Sequence, residues 1–481
     1  MNVGIKARNQ SRSASAVAAL AMIASIVVGC GGSGRSSATS ATGSPSAGGS
    51  PSAPSSLSFA PPSLNPALRE RLDWTLEQIN GKATSLTVAD VKATFAPSFL
   101  AIVPAEQVIP PLAGLVVAAP YQLVDVTPVA DGYQAQGRVS SKLATFDVTI
   151  AVEPAVPNRI AGLMFKPASS ATPRATWREV DEAMATFAPE TSIYAAEITG
   201  DSLKPIYAAN PGQPLAIGST FKLFVLGELD RQIAAGTASW DEQLAIRDDW
   251  KSIPSGTMQD DPAGTKHSLY QYASQMIGIS DNTATDHLIH MLGRQNVEAN
   301  LARMGMADPS RDIPLATTRE ISLLKATKYA SLRKQYLAAD SAGRRKLLDG
   351  QIATSPFSMA DLADWTTPRY IDTLEWFAST KDLCSAMAYL HKQSGEPGLG
   401  KVSDILAGPD SFLNLDKGLW QYTGSKGGSE EGVANLTYLL HRADGRWFVV
   451  SLTMNNPTTD MTLTPIIFLA GDAISLLGVA P

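Results

Sequence analysis

Apolar and charged positions alternate with helical spacing along "LNPALRERLDWTLEQING", residues 64–81, and the stretch ends at a glycine; this predicts an amphipathic helix. A second helical piece, "TVADVKATFA", follows it. The pattern then changes to period two in "PYQLVDVTPV", "GYQAQGRVSS", "ATFDVTIAV" and "NRIAGLMF", which read as four strands. Helices followed by an antiparallel meander predict a small α+β domain over residues 63–170.

The segment 168–177, "ASSATPRATW", is rich in small and turn-forming residues and marks a boundary. Beyond it "TSIYAAEIT" and "KPIYAAN" form a hairpin pattern, and "FKLFVLGELDRQIAAG" is a helix stopped by Gly236. More helices follow to about residue 305. Strand patterns return near the end in "LWQYTGSKGG", "GVANLTYLLH" and "RWFVVSLTMNN". Strands at both ends of 175–481 around a helical middle predict one antiparallel sheet built from both ends, with a helical subdomain inserted. The helical stretch 325–375 is a candidate lid or pocket wall.

Composition alters this picture mainly at the N-terminus. Lys6, Arg8 and Arg12 precede the apolar run "AVAALAMIASIVVG", which ends at Cys30; this is the layout of a secretory signal over residues 1–29. The residues Val27 to Cys30 resemble a bacterial lipobox, which implies lipid attachment to the Cys30 thiol and a place on the extracytoplasmic face of the cell membrane; the alternative is an ordinary signal peptide with a chance cysteine. Residues 30–62 are dominated by Gly, Ser, Ala and Pro and read as a disordered tether. The only other cysteine, Cys384, reads as a core residue. A net charge of −6 gives no reason to expect nucleic acid as a partner.

Candidate chemistry begins at "LAIGSTFKLFVLGELD", residues 215–230, where Ser219 and Lys222 sit three apart at the start of an apolar helix. That spacing places them on one helix face, so the amine can serve the hydroxyl as a base. S-x-x-K recurs as Ser322–Lys325 and Ser331–Lys334, both on charged helical stretches that read as solvated faces. Downstream lie Ser280, Asp281 and Asn282, then Lys426, Gly427 and Gly428 on an expected edge strand. Ser280 and Asn282 also fit as caps of the helix "NTATDHLIHML", and Lys426 as a partner of Glu430 or Glu431.

S-x-x-K, S-D-N and a K-[TS]-G-like triplet in this order resemble class A β-lactamases and penicillin-binding proteins over about residues 175–481. The layout also resembles LpqF-type lipoproteins and the serine hydrolase of the clavulanic-acid gene cluster, which pair a small isomerase-like domain with a β-lactamase-like one. The resemblance implies a serine hydrolase acylated at Ser219, with Lys222, Ser280 and Lys426 moving protons. It further implies Asn282 holding Lys222 and substrate, Asp281 tying its loop together, the N–H groups of Ser219 and Ser429 as oxyanion donors, and Gly427 and Gly428 along the substrate. Its substrates are small-molecule esters, amides, β-lactams or cell-wall fragments. No cofactor is called for, and His287 and His290, though on one helix face, lack further zinc ligands.

Two departures stand out. The interval to Thr317–Thr318 lacks the E-x-x-L-N segment whose glutamate frees the acyl-enzyme in class A enzymes, and Glu298 has no matching surroundings. Gly427 stands where the family carries Thr or Ser. Slow deacylation follows, with Glu375 as a substitute base to consider. The alternative class is a non-catalytic binding or scaffold lipoprotein. For the first domain the order of elements resembles the nuclear-transport-factor or ketosteroid-isomerase half-cone. Asp125, Tyr121 and Tyr133 are its available polar residues, and a structural or binding role is favoured.

Overall fold

The computed structural model describes residues 64–481 apart from positions 102, 130–131, 142–143, 171–172, 409–412, 414 and 462. The expected signal, tether and Cys30 lie outside the described residues.

The first helix, α1, spans Pro66–Ile79; the Asn65 side chain caps it and Pro66 supplies a pre-set φ. Helix α2 (Val88–Thr94) starts in a capping box between Thr87 and Asp90, and α3 covers Ala105–Leu115. Strands β1 (Gln122–Pro128), β2 (Gln134–Ser140), β3 (Ala144–Val152) and β4 (Ile160–Ser170) follow as an antiparallel four-stranded meander. Leu68, Leu72, Phe95, Leu112, Phe146 and Ile150 form the core between helices and sheet. Asp125 is exposed, while Tyr121 is buried and donates to the Leu115 carbonyl at 3.0 Å. These two do not form a shared acid–phenol pair, so alternation and packing account for them.

Next, α4 (Trp177–Phe187) opens with a second capping box, Thr176 with Glu179. Strands β5 (Glu190–Thr199) and β6 (Ser202–Ala209) make the expected hairpin. Three late strands, β7 (Trp420–Glu430), β8 (Val433–Arg442) and β9 (Trp447–Asn455), complete a five-stranded antiparallel sheet in the order β7-β8-β9-β5-β6. The two ends of 175–481 therefore do share one sheet, and β7, which carries Lys426, is its edge.

Side-chain alternation assigns the sheet's faces. Tyr438, Leu440, Val450 and Leu452 pack with Val180 and Met184 of α4 and with Ile466, Leu469 and Ile474 of a last helix, α9 (Thr464–Gly478). Leu439 and Val449 face the other way, into the helical subdomain with Phe224, Met276 and Leu324. That subdomain includes α5 (Lys222–Ala234), α6 (Leu269–Gly278), α7 (Asn282–Leu292) and α8 (Thr318–Lys325). Helix α9 also touches the first unit: Phe468 meets Phe146 edge to face at 5.5 Å. Among the described residues, no helix is long and apolar enough to cross a membrane.

Candidate active site

Ser219 sits in a 3₁₀ turn, Gly218–Phe221, that leads directly into α5. Several contacts pin this turn. Gly218 has φ +49°, and a Cβ there would lie 2.8 Å from Ser429 N. A Cβ on Gly428 would lie 2.0 Å from the Ile217 carbonyl oxygen and 2.7 Å from Ser219 N. Only glycine lets β7 run this close to the serine turn. Thr220 Oγ1 donates to Asn435 Oδ1 on β8 at 2.7 Å, and Asn435 Nδ2 donates to Thr453 Oγ1 at 2.8 Å and the Leu452 carbonyl at 3.0 Å. Phe221 stacks on Trp376 at 3.9 Å. The turn is therefore keyed to the sheet by polar groups and to the helical side by an aromatic pair.

Lys222 is fully buried. Its Nζ donates to the Ser280 carbonyl at 2.6 Å, to Asn282 Oδ1 at 2.7 Å and meets Ser280 Oγ at 3.0 Å. Lys426 Nζ approaches the same Ser280 Oγ at 3.1 Å and donates to the Gly427 carbonyl at 2.6 Å. One hydroxyl thus lies between two buried amines. Burial lowers Lys222 to about 7, against the pull of Asp281 and Asp286. Burial, then the neighbouring Lys222, pushes Lys426 well below the usual lysine range.

The backbone at Ser280 is held at φ +58°, an uncommon conformation for a residue with a side chain. Asp281 enforces it. Its Oδ1 caps α7 through Ala284 N at 2.8 Å, and its Oδ2 accepts from Thr257 N at 2.6 Å and Met258 N at 2.9 Å. Asp281 is thus a tie for the loop, as the resemblance implies, and it, not Ser280, is the cap. Asp286, buried and pushed up to about 7, binds the start of α8 through Thr318 N at 2.8 Å and Arg319 N at 2.9 Å. That fixes Thr318 against Ser252, which it reaches at 2.7 Å.

A cavity of about 210 Å³ opens over these groups, and Ser219, Ser280, Asn282, Lys426, Gly427, Gly428 and Ser429 all line it. The sequence-selected site residues within the described part are therefore brought together. Three readings change. Lys222 makes its hydrogen bonds to Ser280 and Asn282, not to Ser219. Ser322 and Lys325 are buried, not a solvated face. Lys325 pairs with Glu430 and, at 2.9 Å, with Glu375, so Glu430 is taken by Lys325 rather than Lys426. Ser331 and Lys334 are exposed, as expected.

The stretch 325–375 does supply pocket wall, through Leu362, Trp365 and Glu375. Glu298 is engaged by Arg345 at 2.7 Å and by Leu315 N at 2.9 Å. His287 has both ring nitrogens occupied, Nε2 by Arg247 N at 2.9 Å and Nδ1 by the Thr283 carbonyl at 2.7 Å. Its lone pair is thereby unavailable to a metal. Asn435 and Trp376 were not singled out as site residues from sequence, and Lys325 was read only as part of a solvated face. The buried polar run Asn435, Thr437, Ser451, Thr453 within two otherwise apolar strands was the available signal.

Residues 175–364 match the model of the beta-lactamase enzyme family, and the fold of the C-terminal part is β-lactamase-like. Residues 65–155 match a separate model, the ORF 12 gene product N-terminal. Similar solved structures include a beta-lactamase from Sphaerobacter thermophilus, at 20% identity and TM-score 0.45 over 64% of this chain and 99% of that one. They also include a beta-lactamase from Francisella tularensis, at 14% identity and TM-score 0.43 over 62% and 98%. PBP-A aligns at 15% identity and TM-score 0.40 over 64% and 99%. No curated protein matches the chain. The family match points to serine-hydrolase chemistry in general terms.

Proposed function

We propose that this β-lactamase-like domain, taken as residues 175–481, is a serine hydrolase that forms an acyl-enzyme on Ser219 with esters, amides or β-lactams. The observation that carries this reading is the placement of Ser280 Oγ between the amines of Lys222 and Lys426, in the cavity that Ser219 lines. A purely structural core has no use for two amines at one hydroxyl, since each burial costs free energy unless compensated.

In the proposed reaction a neutral Lys222 takes the Ser219 hydroxyl proton as Oγ bonds to the substrate's carbonyl carbon. The carbonyl oxygen becomes an oxyanion and accepts hydrogen bonds from the N–H groups of Ser219 and Ser429. The proton passes through the Ser280 hydroxyl, assisted by Lys426, to the leaving group as the old C–X bond breaks. Water then cleaves the acyl ester, returning the proton to Ser219 and releasing the acid. Asn282 holds Lys222 in place throughout.

We further propose that Cys30 carries lipid, that residues 1–29 are removed, that 30–62 tether the protein to the extracytoplasmic face of the cell membrane, and that 63–170 form a half-cone domain with a structural or binding role. This layout resembles that of LpqF-type lipoproteins. A second reading, a non-catalytic binding or scaffold protein, is favoured by one observation: the hydrogen bonds of Lys222 go to Ser280 and Asn282, with none to Ser219. Fluorophosphonate or penicillin labelling decides between them. Labelling of Ser219, lost in Ser219→Ala, supports the hydrolase; wild-type protein unlabelled from neutral to mildly alkaline pH supports the scaffold.

A further inference from the structure

The charges that line the Ser219 cavity are unlike what an anionic substrate needs. Three glutamates line it, Glu375, Glu430 and Glu431, and no arginine does. Lys426 is its lining lysine, already bonded to Gly427 and Ser280 and disfavoured as an ammonium by burial beside Lys222. Gly427 offers no hydroxyl to a substrate carboxylate.

The glutamates are not equivalent. Glu375 and Glu430 share buried Lys325, and Glu375 also accepts from Trp376 N at 2.9 Å, so their charge is largely answered within the protein. Glu431 lies just past the end of β7 and forms no ion pair among the described residues; burial raises its carboxyl above the usual range, and Lys325 and Arg369 oppose that only at a distance. The rest of the wall is largely apolar, including Ile277, Ile279, Leu362, Trp365 and Ile467. In such surroundings a like charge is poorly screened.

Building on the Ser219 reading above, we propose that Glu431 makes this pocket select acyl donors without a carboxylate, uncharged or cationic esters and amides, over anionic ones. An entering carboxylate meets an unanswered negative charge and no cation to receive it. A quaternary or primary ammonium meets its counter-ion, and an uncharged ester meets an apolar wall.

Three matched p-nitrophenyl esters test this with the full chain: hexanoate, mono-adipate and 6-(trimethylammonio)hexanoate. Acylation of Ser219 is followed by intact mass and by nitrophenol release. The expected result is a kcat/KM for the uncharged ester at least ~10-fold above the anionic one. In Glu431→Gln the ratio falls toward one, and in Glu431→Asp it persists. Equal use of anionic and uncharged esters by the wild type, with Ser219 acylated by both, overturns the selectivity and leaves the hydrolase standing. Failure of all three esters to acylate Ser219 overturns the hydrolase reading and this inference together.

Discussion

Ser280 Oγ stands 3.0 Å from Lys222 Nζ, and the same oxygen is 3.1 Å from Lys426 Nζ. Among the described residues, this hydroxyl is the side-chain group that hydrogen-bonds to both amines, so it is the relay through which a proton can pass from one to the other. Ser280→Ala removes that oxygen and leaves the carbonyl of residue 280 and Asn282 to hold Lys222. Labelling of Ser219 should then slow by ~10²-fold or more, within the range of general acid–base contributions. Stopped-flow labelling rates check this, and a rate within a factor of about two of wild type would remove Ser280 from the chemistry.

The pH profile follows from Lys222. Burial lowers its pKa from 10.5 to about 7, so below neutrality it is an ammonium with no lone pair to accept a proton. Ser219 acylation should therefore rise with pH through about 7 and then level off. The linkage has the same sign. Between about 7 and 10.5 the unfolded chain holds a proton that the folded one has released, so this group's contribution to stability improves as pH rises across that window. Labelling rates measured across the range, at constant ionic strength, should trace the first effect. A flat profile would mean that Lys222 is not the base.

Lys325 carries the clearest stability prediction. It has no exposed side-chain surface and answers Glu375 and Glu430 together. Lys325→Met leaves two buried carboxylates facing each other, a loss of about 3–5 kcal/mol when a buried partner is removed. Lys334→Met, on an exposed helix position, should stay within about 0.5 kcal/mol. Urea unfolding of both variants makes the comparison, and equal midpoints would show that the cluster contributes nothing.

Local patterns in the sequence carried much of this architecture. The alternation in β8 and β9 and the helical period of α5 marked their elements, and ordered motifs drew Ser219, Ser280 and Lys426 to one cavity. Two helices escaped that reading for different reasons. Helix α4 follows a turn-rich boundary, although its Thr176–Glu179 capping box was visible. Helix α9 is apolar nearly all round because it is covered by the sheet on one side and by Phe146 on another, so it shows little amphipathic stripe. Lys325 escaped because a lysine on a polar-looking helix reads as solvated until the chain supplies Glu375 and Glu430 from 50 and 105 residues away. Long-range charge pairing leaves no local period.

Deacylation is where the site looks weakest. The segment that would carry a water-activating glutamate is missing, and the two glutamates weighed for that role from sequence are engaged, which leaves Glu431 as the cavity carboxylate without an ion pair among the described residues. Glu298 is held by Arg345 and Leu315 N, and Glu375 by Lys325 and Trp376 N. A carboxylate so committed cannot also take a proton from water without giving up a charge-assisted bond. The expected outcome is a stoichiometric burst followed by slow turnover, with acyl-Ser219 persisting in intact-mass spectra. Hydroxylamine, which needs no activation to attack an ester, should speed release. Glu298→Gln should not slow turnover further, since that residue is taken to be structural. Burst-free rapid turnover that is lost in Glu375→Gln or Glu431→Gln would identify a working base among the pocket carboxylates and overturn this account.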